Sequence, residues 1–291
     1  MNILICSKIS IPAKDRTLPA WEYVRSLGHT VWMEGPDIEL PDKPDVLISM
    51  GVTVMDETFR MLEQYPNVPL FSYNWDCYEW VWTNPRPGEY DYKRYGELLK
   101  LSTEVWTPSY CTSERTKQWW GIKNTYRILS ACPYWDYEDI KDQGYILCAL
   151  REIPDPYWGR VEEACDELGL PLVMTKHEQS YEDYQKKVAQ CKFIVSPLYE
   201  LSTGGLTIME GYYLGKNCLL SDSKWHGGID YMSNRAHYFQ HDDYDNLKDK
   251  LWSLYNNTPK LNITDCQNWI KRNYSDKMMM DQMLDRVSIY V

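Results

Sequence analysis

No stretch of the sequence approaches the roughly 18 uninterrupted apolar residues that a membrane-spanning helix needs. The amino terminus lacks the basic flank, long apolar segment and cleavage site of a secretory signal. The nine cysteines include no CxxC pair, which argues against zinc ribbons and disulfide frameworks. We therefore expect a cytoplasmic protein in a reducing environment.

Positive charge and phenylalanine are also scarce. The net charge of −11 disfavours general attraction to nucleic acid or anionic lipid, because both require clustered Lys and Arg. The sequence has 4 Phe against 24 Tyr and 13 Trp, so most of its aromatic rings carry a polar group. Such rings suit stacking on sugars or bases, and ordinary core packing is the alternative interpretation.

Apolar runs alternate with helical patterns along the chain, which predicts an α/β fold with parallel sheets. A length of 291 residues is sufficient for two such cores. The segment 133–144 has no periodicity and is interpreted as a linker. The predicted domains are therefore residues 1–142 and 143–267, each Rossmann-like and doubly wound, followed by a last helix.

The individual elements follow from periodicity and from turn residues. The predicted strands are residues 2–6, 30–33, 45–49, 68–73, 104–107, 125–129, 145–150, 171–175, 192–197 and 217–221. The predicted helices are residues 17–28, 56–64, 90–101, 112–120, 158–168, 181–190, 206–214, 244–256 and 264–290.

One turn in the second half of the sequence has the features of an anion site. The strand at 192–197 is followed by Gly204, Gly205 and a helix that begins at Leu206. A glycine turn of this kind lets the backbone approach a ligand, and the helix start directs N–H groups and positive charge toward it. Glu210 lies further along the helix and can accept hydrogen bonds from hydroxyl groups. These features indicate a nucleoside diphosphate site, and a plain turn with a surface Glu is the alternative.

The stretch 196–221 resembles the donor-site signature of the large retaining GT-B family that includes sucrose synthases and bacterial mannosyl- and glucosyltransferases. In that family a Glu, seven residues and a second Glu precede a glycine turn and a strand that ends in Ser-Asp. Glu210 matches the second Glu, which the resemblance assigns to the nucleotide ribose. The first Glu falls on Ser202. Either Glu200 takes over its role near the donor sugar, or the sugar is held differently, or transfer is impaired.

A second part of the resemblance lies at 146–151, which is similar to the family's opening strand and its terminal Gly-Arg. Arg151 falls on the phosphate-binding Arg, although a surface ion pair is the alternative for this side chain. Pro156 occupies the position of the usual Lys, so Arg160 is the nearest substitute cation. Among the five histidines, His29 is assigned to a turn and His237 and His241 to a solvated edge, which leaves His177 and His226 near the donor cleft.

The first half of the sequence matches the family's acceptor side. Ser7 and Lys8 follow the first strand, and Trp75 and Asp76 follow the fourth strand, where many relatives carry a His-Asp pair. Asp76 aligns with that Asp and can orient or deprotonate an acceptor hydroxyl, and helix capping is the alternative role. Trp75 replaces the His and can stack on a ring.

The resemblance implies two Rossmann-like domains that face a central cleft, with a last helix at about 268–291 that crosses back to the first domain. It implies transfer of a hexosyl or pentosyl group with retention, without a metal ion or cofactor, from a nucleoside diphosphate sugar. The acceptor is left open among a glycan, a protein and a hydroxylated base of viral DNA, and the oligomeric state is also open. A non-catalytic nucleotide-sugar-binding protein of the same fold is the alternative function.

Overall fold

The computed structural model describes residues 1–6, 20–33, 43–74, 91–132, 134–138, 140–148, 156–175, 180–197 and 206–291. These residues form two compact units. The first unit contains Met1–Ala131 and Tyr274–Val291, and the second contains Cys132–Asn273. Each unit is built on a parallel sheet, and helices connect most of the successive strands, so the predicted α/β class is confirmed.

The first unit has a six-stranded sheet in the order β2-β1-β3-β4-β5-β6, and all of its strand pairs are parallel. Its strands are β1 (Asn2–Cys6), β2 (Thr30–Met33), β3 (Val46–Met50), β4 (Leu70–Tyr73), β5 (Glu104–Thr107) and β6 (Thr125–Arg127). Its helices are α1 (described over 20–26), α2 (Met55–Gln64), α3 (Tyr92–Leu101), α4 (Tyr110–Trp120) and α11 (Asp276–Val287).

Both faces of this first sheet are buried. Successive strand residues point to opposite faces, so Ile3 and Ile5 enter one apolar cluster while Leu4 and Cys6 enter the other. The near-continuous apolar runs of the sequence are therefore explained by burial on two sides. The cluster around Ile3 also contains Met280, Met283 and Val287 of α11, which packs into the first unit's core.

The second unit has a five-stranded parallel sheet in the order β11-β10-β9-β7-β8. Its strands are β7 (Ile146–Cys148), β8 (Leu172–Met174), β9 (Phe193–Ser196), β10 (Asn217–Ser221) and β11 (His237–Phe239). Its helices are α5 (Pro156–Leu168), α6 (Tyr181–Gln190), α7 (Leu206–Tyr213), α8 (Gly228–Met232), α9 (Tyr244–Asn256) and α10 (Ile263–Asn273).

The end of the chain differs from the sequence prediction. The single helix predicted over 264–290 is wrong, because α10 ends at Asn273 and α11 begins at Asp276. Ser275 causes the new start, since its side chain accepts a hydrogen bond from the backbone N–H of Met278 at 3.3 Å. The edge strand β11 and the short helix α8 were not predicted.

The segment predicted as a linker has contacts within the second unit. The ring of Tyr134 stacks on the ring of Tyr213 with centroids 5.2 Å apart. The Tyr213 hydroxyl donates to Asp136 at 3.0 Å. Residues 134–138 are therefore attached to the end of α7.

Over the described parts of the chain, no helix combines the length and the apolar character that a membrane span requires.

Candidate functional site

The strand order of the second sheet marks one edge as the place for a ligand. The chain passes from β7 to β8 on one side and then returns to β9 on the other side of β7. In open parallel sheets, ligands bind beside the carboxyl ends of strands at such a reversal. Arg151 follows the end of β7 by three residues, and Gly204 and Gly205 immediately precede α7, which follows β9.

Most of the site residues named from the sequence lie in connecting segments outside the described residues. Arg160, Leu206 and Glu210 lie within them. The residues outside are Ser7, Lys8, Trp75, Asp76, Arg151, His177, Glu200, Ser202, Gly204 and Gly205. The geometry of the candidate site is therefore built from α7 and from the elements that surround it.

Helix α7 follows β9 at this edge and is largely buried. It begins at Leu206, as predicted, and all of its residues from Ile208 to Tyr213 are buried. Gly211 makes the close approach to the sheet possible, because a Cβ atom there would lie 2.1 Å from Cδ1 of Ile194 on β9. The first turn of α7 contains no acidic residue, so the positive end of the helix is not neutralised by its own side chains.

Glu210 lies in the second turn of α7 and is only 2% exposed. Its Oε2 atom accepts a hydrogen bond from the Tyr184 hydroxyl on α6. The same hydroxyl lies 2.8 Å from Oγ1 of Thr207, which is one turn before Glu210 on α7. The carboxylate predicted from spacing is thus held in place by a neighbouring helix.

Sequence reasoning did not identify Tyr184. The start of α6 was readable, since Ser180 accepts from the backbone N–H of Asp183 at 3.1 Å and donates to its carboxylate at 2.8 Å. This capping arrangement places Tyr184 in the first turns of α6. Its partner on α7, however, is 26 residues away and depends on how the two helices pack.

The side chain of His226 is hydrogen-bonded to the last residue of β9. It is 1% exposed, and its Nδ1 atom accepts from the backbone N–H of Gly228 at 3.0 Å. Nε2 must therefore carry the proton, and it donates to the Ser196 carbonyl at 3.1 Å. Burial lowers the pKa of His226 from 6.5 to about 4, so the ring is neutral near pH 7. The last residue of β9 is thereby fixed before the chain enters 198–205.

Arg160, the substitute cation, pairs with Asp242 in this structure. The Nη1 atom lies 3.4 Å from Oδ1 of Asp242, and the side chains are 42% and 61% exposed. An exposed ion pair at this distance contributes about 0–1 kcal/mol. The pair is therefore weak enough for Arg160 to exchange its partner for an anionic ligand.

In the first unit, the strand ends that precede the predicted acceptor residues are firmly attached. Asn74 follows β4, and its backbone N–H donates to the Trp106 carbonyl at 2.7 Å. Its side chain donates to Thr116 at 2.9 Å and accepts from the Tyr95 hydroxyl at 3.2 Å. Trp75 and Asp76 therefore follow a fixed point in the chain.

Cys6 ends β1 immediately before Ser7 and Lys8. Burial raises the pKa of its thiol to about 11, so it is not a thiolate nucleophile at neutral pH. Within the described ranges, no three His, Cys, Asp or Glu side chains form a group that could hold a metal ion.

No protein-family model matches the sequence, and no curated protein matches it either. Solved structures do match. Sucrose-phosphate synthase from Thermosynechococcus elongatus superposes with a TM-score of 0.68 and 12% identity, over 99% of this chain and 98% of that chain. The Anabaena protein HepE, solved with UDP and glucose, gives a TM-score of 0.63 and 11% identity, over 99% of each chain.

A glycosyltransferase from Rickettsia africae gives a TM-score of 0.57 and 13% identity, over 98% of this chain and 97% of that chain. These matches extend over both units. The chain has the GT-B fold. In the GT-B fold each unit is a parallel α/β sheet of the kind described above, so the fold predicted from the resemblance is confirmed. At sequence identities of 11% to 13%, these matches show that the fold is shared and nothing beyond the fold.

Proposed function

We propose that the chain is a glycosyltransferase that moves a sugar from a nucleoside diphosphate sugar to an acceptor hydroxyl. The GT-B fold supports this proposal, since its neighbours include a sucrose-phosphate synthase and a protein solved with UDP and glucose. The observation that carries the proposal to this chain is the position of Glu210. It is a buried carboxylate on a helix that starts at the carboxyl edge of the second sheet.

The chemistry of a nucleoside diphosphate fits this arrangement. An ionised carboxylate only accepts hydrogen bonds, and the ribose hydroxyls are donors. The diphosphate is an anion, and the start of α7 offers backbone N–H groups and the positive end of the helix dipole. Glu210 therefore binds the ribose, while the turn at Gly204, Gly205 and Leu206 binds the diphosphate.

The charge of the leaving diphosphate is stabilised by cationic side chains. Arg151 follows β7, and a guanidinium can hold two phosphate oxygens at once. Arg160 joins it after it leaves Asp242, and His177 contacts the donor from the segment after β8. These groups and the helix start act where other enzymes use a metal ion, so transfer does not require one.

We extend the proposal to retention of the anomeric configuration. In this mechanism a phosphate oxygen of the donor takes the proton from the acceptor hydroxyl, so no protein nucleophile is needed. In this proposal Glu200 takes the role of the family's first Glu near the transferred hexosyl or pentosyl group, and Ser202 occupies the sequence position of that Glu. The balance is one glycosidic bond formed, one sugar–phosphate bond broken, and one proton passed to the diphosphate.

The acceptor is bound by the first unit, through segments that begin at fixed strand ends. Trp75 stacks on a ring of the acceptor, and Asp76 orients its hydroxyl. Ser7 and Lys8 contribute from the segment after β1. Among a glycan, a protein and a hydroxylated base of viral DNA, the net charge of −11 favours the first two.

A thermal-shift screen tests the donor site directly. UDP-, GDP-, ADP- and TDP-sugars are added to the wild type and to Glu210→Ala. A ligand at 100 times its Kd stabilises the folded state by about 2.7 kcal/mol, which raises Tm by about 5–10 °C. We expect one nucleotide class to give this shift with the wild type and to lose most of it with Glu210→Ala.

Two further variants make the screen specific. Glu210→Gln keeps the size of the side chain and removes its charge, which guards against misfolding of the alanine variant. Glu162→Ala removes an exposed glutamate from α5 and should retain the full shift. If no nucleotide sugar stabilises the wild type, the donor site is wrong. If the nucleotide sugar binds but is neither transferred nor slowly hydrolysed, the chain is a non-catalytic binding protein.

A further inference from the structure

The Tyr184 hydroxyl joins two helices of the second unit. It donates to Oε2 of Glu210 and lies 2.8 Å from Oγ1 of Thr207. A phenol has one proton, and an ionised carboxylate can only accept. The Tyr184 hydroxyl is the donor in both contacts, so its one proton is shared between the carboxylate and the Thr207 hydroxyl. The three groups form one hydrogen-bonded cluster, in which Tyr184 of α6 joins Thr207 and Glu210 of α7.

The two helices that carry this cluster have fixed backbones. Thr207 and Glu210 are three residues apart on α7 and thus share one face of that helix. On α6, Tyr184 follows a capped first turn, and the far end of the helix is buried from Val188 to Gln190. The Tyr184 oxygen is therefore delivered to the carboxylate by two rigid elements.

Such a contact changes how well a carboxylate recognises a ligand. A glutamate side chain has three rotatable bonds, and fixing them during binding costs conformational entropy. A carboxylate has about four acceptor sites, and Tyr184 uses about one of them. Because Tyr184 fixes the direction of the carboxylate, a hydroxyl donor meets an acceptor that is already oriented.

We propose that Tyr184 is a positioning residue for ribose recognition, which fixes the Glu210 carboxylate and thereby determines how strongly the site prefers a ribonucleotide to a 2′-deoxyribonucleotide. This inference rests on the proposed function, because it takes Glu210 as the ribose acceptor. Tyr184 acts through Glu210 and needs no contact with the nucleotide.

The preference for ribose provides the readout. A hydrogen bond from a ribose hydroxyl to an oriented carboxylate corresponds to about a 10- to 100-fold difference in Kd between UDP and 2′-deoxy-UDP. In Tyr184→Phe the carboxylate can rotate away, so the ratio of the two Kd values should fall at least about threefold. A general loss of protein stability would weaken the binding of both nucleotides equally and leave the ratio of their Kd values unchanged.

Isothermal titration calorimetry measures the two Kd values for each protein. UDP, ADP and GDP are each paired with the 2′-deoxy form, and the pair with the tightest ribonucleotide is used. Glu210→Gln defines the ratio in the absence of the carboxylate. Thr207→Val removes the second acceptor of the Tyr184 hydroxyl and keeps the bond from Tyr184 to Glu210, so it should lower the ratio by a smaller factor than Tyr184→Phe.

Tyr145→Phe is a matched control. It removes another partly buried tyrosine hydroxyl that contacts the same helix, since the Tyr145 hydroxyl donates to the Lys187 carbonyl of α6 at 2.9 Å. We expect this variant to keep the wild-type ratio.

The outcomes distinguish failure of the ribose site at Glu210 from failure of the positioning role of Tyr184. If Glu210→Gln lowers the ratio and Tyr184→Phe keeps it, the positioning role is wrong while the ribose site stands. If the wild type binds no nucleotide, or if Glu210→Gln binds both members of a pair as the wild type does, the ribose site and the role of Tyr184 are both refuted.

Discussion

Replacing Arg286 with alanine should loosen the last helix from the first sheet. Arg286 lies on α11 and pairs with Glu104, which starts β5 and whose side chain is 1% exposed. Arg286 Nε donates to Glu104 Oε2 at 2.9 Å, and its Nη2 atom donates to Oε1. The guanidinium also lies over the Tyr126 ring, 4.2 Å from its centroid. The substitution removes all of these contacts and leaves a buried carboxylate.

The expected loss is about 3 kcal/mol of unfolding free energy for the first unit. Breaking a buried ion pair by removing one partner costs about 3–5 kcal/mol, and the cation–π contact adds about 0.5–1 kcal/mol. Two features reduce the loss. Trp106 Nε1 still donates to Glu104 at 2.9 Å, and the Arg286 side chain is 22% exposed, so water can reach the vacated position.

Urea denaturation measures the total effect, and hydrogen–deuterium exchange locates it. Exchange should accelerate in the peptide that covers α11 and stay unchanged in α9, which belongs to the second unit. Lys100→Ala is the control, because Lys100 and Glu97 form an exposed pair at 2.8 Å that contributes under about 1 kcal/mol. If Arg286→Ala costs no more than Lys100→Ala, the proposed anchoring of α11 by this pair is wrong.

Three other predictions follow from the packing. Gly211→Ala should lower the unfolding free energy by about 1–3 kcal/mol in a urea titration, because the new Cβ would overlap Ile194. Gly159→Ala on α5 is the control: its Cβ meets no atom within 4 Å, so the unfolding free energy should rise by about 0.5–1 kcal/mol. Since the pKa of His226 is about 4 in the folded protein and 6.5 without burial, the unfolded chain binds the proton more readily, and stability should fall as the pH drops from 6.5 toward 4. His226→Gln should flatten this part of the pH profile of Tm, and an unchanged profile would contradict the assignment. All eight described cysteines are buried, so in a Cys77→Ser variant Ellman's reagent should react rapidly only after unfolding, and rapid labelling of the native protein would contradict their burial.

Periodicity was sufficient to predict most of the fold. Strands buried on both faces gave short apolar runs, and the helices between them gave amphipathic patterns, so the parallel α/β class followed without a structure. The missed elements lacked such a signal. Strand β11 has three residues and lies at a sheet edge, and α8 has five. The break between α10 and α11 did have a signal, the helix-capping Ser275, but the helical pattern continued across it.

The candidate site was predictable in part. The spacing from the glycine turn indicated Glu210 because that relation is local to one helix. The partners of the predicted residues are not local. Tyr184 and Glu210 are 26 residues apart, and Arg160 and Asp242 are 82 residues apart. Such contacts depend on which helices lie side by side, and a single sequence contains no periodic signal for them.

The polar side chains at the strand ends explain how each unit can position residues in the segments that follow. Burying a polar group costs free energy unless it is hydrogen-bonded, so an apolar residue is the simpler choice for a core position. His226 and Asn74 are nevertheless buried, and both bind the chain at the end of a strand. Their bonds fix backbone that precedes a segment with proposed site residues: Ser196 before the glycine turn, and Asn74 itself before Trp75 and Asp76. The same principle applies to Glu210, which is oriented by Tyr184 before any ligand binds.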